Sequence, residues 1–132
     1  EFNHSQAGVT HFLQIWVIPS KMGVKPSYEQ RTFPEQEKRG RLRVVVSPDG
    51  RDGSVSIHQD ATMFSGLFEG EERAELPIAA GRLGYVHVAR GEVTVNEREL
   101  AAVDALLLQD EPLVTIAHGK RAEVLVFDLP RL

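Results

Sequence analysis

Five histidines and no cysteine set the chemistry open to this chain. Imidazole and carboxylate side chains ligate iron and similar metals, so Glu1, His4 and His11 are the first residues to weigh as a metal set. Nothing in their spacing fixes three side chains onto one point, and chain ends fray. His58 lies in Ser54-Val55-Ser56-Ile57-His58-Gln59, an alternating run. It could serve as a ligand or general base, but a lone imidazole brings no ligand set, and a polar residue bonding its neighbours at a strand end accounts for it. In Tyr85-Val86-His87-Val88-Ala89, Tyr85 and His87 share one face and the two valines the other. Tyr85, His87 and Gln59 could line the mouth of a barrel; a half-buried structural histidine is the simpler alternative. His118, before Gly119-Lys120, reads as an exposed turn residue.

The lack of cysteine excludes disulfides, thiolate metal sites and a cysteine nucleophile, and fits a reducing compartment. There is no Gly-x-Ser-x-Gly elbow and no Gly-rich phosphate loop ending in Lys-Ser/Thr. Serines fall at turns, where they act as local hydrogen-bond formers.

The elements that must position these residues are short strands. His11-Phe12-Leu13-Gln14-Ile15-Trp16-Val17-Ile18 is apolar on both faces, too short for a typical helix, and ended by Pro19. This predicts a strand buried on both sides. Residues 19–39 carry three prolines, a glycine and many charges, and read as a connection between domains with room for one helical turn. From Arg41 on, strands and turns alternate. Val44-Val45-Val46 runs into Ser47-Pro48-Asp49-Gly50-Arg51-Asp52-Gly53, with two Asp-Gly turn signals. Met63–Phe68 and Ala74–Ala79 are candidate strands, 84–89 and 92–95 read as a hairpin about Arg90-Gly91, and Asn96-Glu97 is a turn. Ala105–Gln109, Leu113–Ala117 and Glu123–Leu129 complete roughly ten strands, which predict a closed barrel or sandwich.

At 132 residues the chain has the size of one ordinary domain and buries enough surface to need no disulfide or structural metal. No apolar run is long enough to cross a bilayer, and no secretory signal is visible. A formal charge of −4 is mild, and the basic stretch Lys38–Arg43 reads as a solvated strand entry rather than a nucleic-acid patch.

Several stretches together resemble pirin and its bacterial relatives. They are Phe12-Leu13-Gln14-Ile15-Trp16, Pro26-Ser27-Tyr28-Glu29-Gln30-Arg31-Thr32-Phe33, Ser47–Ser54, Ile57-His58-Gln59-Asp60 and Phe127-Asp128-Leu129-Pro130, in matching order and spacing. The resemblance implies an all-β, cupin-type β-barrel of the jelly-roll kind. It places residues 1–18 as the remnant of a first cupin with its final strand at 11–18, residues 19–40 as an interdomain linker, and 41–132 as the C-terminal barrel.

In that family the first barrel holds one metal, usually iron, through three histidines and a glutamate. Glu1-Phe2-Asn3 resembles the tail of that metal motif, which puts Glu1 at the glutamate position, while the histidines have no counterpart here. The second barrel generally lacks a metal, and His87 has no partner histidine at i+2. No cofactor is therefore expected for this chain, against one iron or other divalent transition metal in the family. Some bacterial members oxidise the flavonol quercetin with dioxygen, and the mammalian namesake is described as a nuclear, iron-dependent transcriptional co-regulator.

The resulting expectation is a cytoplasmic, non-catalytic structural or interaction barrel, with a quercetin 2,3-dioxygenase-type oxygenase or a small-molecule-binding barrel (His58, Tyr85 and His87 at its mouth) as alternatives. With one face of 11–18 bare, the chain is expected to form a homo-oligomer through that strand, with no direct nucleic-acid or membrane partner.

Overall fold

The computed structural model describes residues 7–9, 11–23 and 25–131. All eight strands lie beyond residue 42. They are β1 (Arg43–Ser47), β2 (Val55–Ser56), β3 (Thr62–Phe68), β4 (Ala74–Pro77), β5 (Arg82–Val95), β6 (Arg98–Ala101), β7 (Ala105–Gln109) and β8 (Leu113–Pro130). The all-β expectation holds; helical structure is confined to short 3-10 turns at Glu35–Glu37 and Arg51–Gly53. No helix is long and apolar enough to cross a membrane among the described residues.

Two long strands organise the fold. β5 and β8 pair antiparallel along most of their lengths, and each crosses from one layer to the other. In the first layer the C-terminal half of β8 pairs with β3, β3 with β1, and β1 with β2, while the N-terminal half of β5 pairs with β7. In the second, the N-terminal half of β8 pairs with β4 and the C-terminal half of β5 with β6. The predicted hairpin about Arg90-Gly91 is therefore a bend within one strand. Likewise Leu113–Ala117 and Glu123–Leu129 belong to one strand, interrupted at His118 and Arg121, which both take positive φ.

The bend has a steric cause. The ladder slips register between Val88 and Thr94, and bulges of this kind sharpen the local twist and kink. Gly91 sits there at φ 73°, where a Cβ would overlap the carbonyl oxygens of Lys120 and Arg121. Opposite it, a Cβ on Gly119 would come within 2.5 Å of the Phe68 carbonyl oxygen. Only glycine permits both backbones to approach so closely.

Between the layers lies one apolar core. Val86, Val88, Val95, Val114, Ile116, Val124 and Val126 are fully buried, with Phe68, Ile78, Val93, Leu108 and Ala122 around them. The period-2 alternation of β5 and β8 supplies most of it.

The run 11–18 corrects the expectation of a buried strand. It is extended but belongs to no strand, because a strand exists only by pairing, and Phe12 to Val17 find no backbone partner among the described residues. It is not buried on both sides either. Leu13, Ile15 and Val17 are 42–44% exposed, whereas Phe12, Trp16 and Ile18 are 59–86% exposed. The alternation read from sequence survives, with one face turned to the sheet and the other to solvent. The connection that follows is less structureless than expected at its end. Gly40 N donates to Leu67 O, Leu67 N donates to Lys38 O, and the Arg43 guanidinium lies 4.8 Å from the Phe33 ring centre.

Candidate functional site

The outer surface of the first layer carries the most ordered set of side chains. Ladder register places Leu107, Tyr85, Phe127, Met63 and Val46 in one row across β7, β5, β8, β3 and β1. Tyr85 and Phe127 touch, with ring centres 5.8 Å apart and planes at 60°, a tilted geometry that aromatic quadrupoles favour. Beside them Ile15 and Val17 close over Val46, Ile57, Met63 and Phe127 to enclose a cavity of about 290 Å³.

Polar bonds pin the strap 11–20 at both ends of its path over this surface. Arg90 Nε donates to His11 Nδ1 at 3.1 Å, Gln59 Nε2 donates to Ile18 O at 2.7 Å, and Ser20 N donates to His58 O at 2.7 Å.

This placement decides the sequence candidates. Tyr85 and His87 lie on the outer face, half-buried, and do not stand at a barrel mouth, because Val86 and Val88 take the inward positions and the interior is filled with apolar side chains. His58 is not in a strand. It occupies an exposed bend, and its main-chain carbonyl is the group in use. Gln59 anchors the strap rather than joining the two β5 residues. His118 is exposed at a bulge of β8. His11 is engaged by Arg90; Glu1 and His4 lie outside the described residues.

A metal of the kind implied by the pirin resemblance does not fit the described residues. No three of their His, Asp or Glu side chains are placed to hold an ion. Their geometry therefore supports no chemical step through such an ion.

Three features escaped the sequence reading. Arg82 is a clamp: Nε donates to Asp128 Oδ1 at 2.6 Å, Nη1 to Asp60 Oδ2 at 2.7 Å and Nη2 to Asp60 O at 3.0 Å. Burial alone would lower the Arg82 pKa, but the hydrogen bonds and charges of Asp128 and Asp60 outweigh it and raise the value. Partners 22 and 46 residues away carry no local signal. The second feature organises the turn 47–54. Ser47 and Ser54, both buried, share a 2.6 Å hydroxyl contact, and Asp49 Oδ1 accepts from Arg51 N at 3.2 Å. That amide bond chiefly lowers the Asp49 pKa; desolvation opposes it and the Ser47 hydroxyl adds to it. The third is an open cleft of about 1050 Å³ at the β5–β8 bend, rimmed by Arg39, Glu69, Arg90, Lys120 and Arg121. Its charges are largely matched, as in Arg39–Glu35 at 2.9 Å and Lys120–Glu92 at 3.9 Å.

A model of the quercetinase C-terminal cupin domain matches residues 44–129. Over 130 residues, 98% of its length, the chain is 37% identical to quercetin 2,3-dioxygenase of Escherichia coli K12, covering 55% of that protein. It is 29% identical over 120 residues to a pirin-like protein of Caulobacter vibrioides, covering 90% of this chain and 52% of the relative. Among solved structures it resembles YhhW from Escherichia coli, with TM-score 0.82, 36% identity, and coverage of 89% of this chain and 49% of the other. A second structure, bacterial pirin YhhW from the same organism in complex with nickel(II), gives TM-score 0.81 and 37% identity, with the same coverage. The chain thus spans about half the length of the curated relatives it matches.

Proposed function

The chain belongs to the quercetinase C-terminal cupin domain family, and from that premise we propose that it serves as the C-terminal cupin of a pirin-like oxygenase that cleaves quercetin with dioxygen. The observation that carries this reading is the 37% identity to a quercetin 2,3-dioxygenase over 98% of the chain. The relatives favour this reading over a free-standing, non-catalytic module.

The described residues bring neither a metal set nor an internal ligand cavity to that task. Their part is to hold a rigid surface. A core of β-branched side chains fixes β5 and β8, and those strands hold the outer row from Leu107 to Val46 in register. The metal and the substrate would meet residues other than these.

The test measures loss of quercetin absorbance together with dioxygen uptake. It compares the full chain loaded with iron(II), nickel(II) or manganese(II), and the same chain extended by the preceding half found in its relatives. Joint consumption of quercetin and dioxygen by the extended form, lost on deletion of 44–129, is the expected result. An extended, metal-loaded form that leaves quercetin untouched would overturn the reading.

A further inference from the structure

We propose that two copies of this chain associate about a two-fold axis through the outward face of the strap, Phe12, Trp16 and Ile18. Nine of the eleven large, exposed hydrophobic residues among those described lie between Val9 and Tyr28. Scattered singly on a surface they would need no explanation, but a contiguous patch does. Trp16 is 86% exposed and Ile18 82%, although Leu13, Ile15 and Val17 of the same run face the sheet. The sequence thus places apolar side chains on a face that the barrel does not use.

Three observations favour a second copy as the occupant. Residues 12–20 carry no charged side chain, so two copies approach without like-charge repulsion, and a charged partner finds nothing to pair with. Composition is that of an interface centre, where tryptophan, tyrosine and other aromatics dominate the binding energy. Area is sufficient. At about 150–250 Å² per aromatic, Phe12, Trp16 and the neighbouring Tyr28, with Ile18, offer roughly 600 Å² per copy, and twice that reaches the lower bound of stable interfaces, about 1,200 Å². Phe12 to Val17 also have no hydrogen-bonded backbone among the described residues. Their N–H and C=O groups remain available to an antiparallel copy. Association through this face is independent of the oxygenase reading.

Trp16 is the sole tryptophan, so its fluorescence reports this surface alone. Sedimentation equilibrium of the full chain is expected to give twice the 14.7 kDa chain mass at high concentration, with Trp16 emission shifting to shorter wavelength as the dimer forms. Trp16→Glu should weaken association by at least about 30-fold and leave the far-ultraviolet circular dichroism of the barrel unchanged. Val103→Glu, at an exposed residue remote in sequence from the strap, should associate as the parent does. A monomer at all concentrations, a dimer that tolerates Trp16→Glu, or open-ended aggregation would each overturn the proposal. So would a longer form of the protein in which Trp16 emission is already blue-shifted and independent of concentration, since a segment of the same chain would then occupy the face.

Discussion

Arg82 on β5 binds Asp128 on β8 at 2.6 Å, with both side chains about three-quarters buried. In the ladder, Asp128 stands opposite Gly84, two residues along from Arg82, so the pair is a diagonal contact that ties the two central strands together. The second arm of the same guanidinium holds Asp60, just before β3. One side chain thus joins the loop that anchors the strap to the sheet beneath it.

Removing that clamp leaves a half-buried carboxylate without its partner. Hydrogen bonds to charged groups are worth about 1.5–3 kcal/mol when shielded, and the exposed Asp60 arm adds little. Arg82→Ala should therefore lower stability by about 2 kcal/mol in urea unfolding, and Arg82→Lys should recover less than half, because an ammonium cannot reproduce the forked geometry. A midpoint unchanged by Arg82→Ala would show that the clamp adds no net stability.

Gly91 makes a sharper prediction. Any side chain there combines positive φ with overlap onto the carbonyl oxygens of Lys120 and Arg121. Gly91→Ala is expected to cost at least about 3 kcal/mol, read as a lowered thermal midpoint. Gly70→Ala is the control, since it shares a positive φ but has open space around its Cβ position, so it should cost about 1 kcal/mol.

The turn 47–54 should respond to acid through Asp49. Its carboxyl lies below the ordinary carboxylate value chiefly because it accepts from the Arg51 amide. A depressed folded-state value means that the contribution is present above the unfolded value and disappears as pH falls through the folded one. The Arg51 amide resonance should accordingly titrate with a midpoint below that of an unstructured aspartate, and Asp49→Asn should abolish the titration. A midpoint at or above the ordinary value would contradict the bond.

Sequence alone determined the class of fold. Alternation at 84–88 and 123–127, the Asp-Gly turns and the lack of a helical period demand a β-sheet, because side-chain direction in a strand is a local property of period two. It also determined which faces of 11–18 and 84–88 group together, for the same reason. It did not determine which segments pair. The strap reads as a strand, yet a strand requires a partner, and none of the described residues supplies one. The two apparent hairpin arms at 84–95 are a single bent strand because Gly91 meets Lys120 and Arg121, residues far along the chain. Nor could it show the Arg82 clamp, or that Tyr85 and His87 face outward. Those outcomes depend on which valines win the interior, a competition for volume that only the packed tertiary structure resolves.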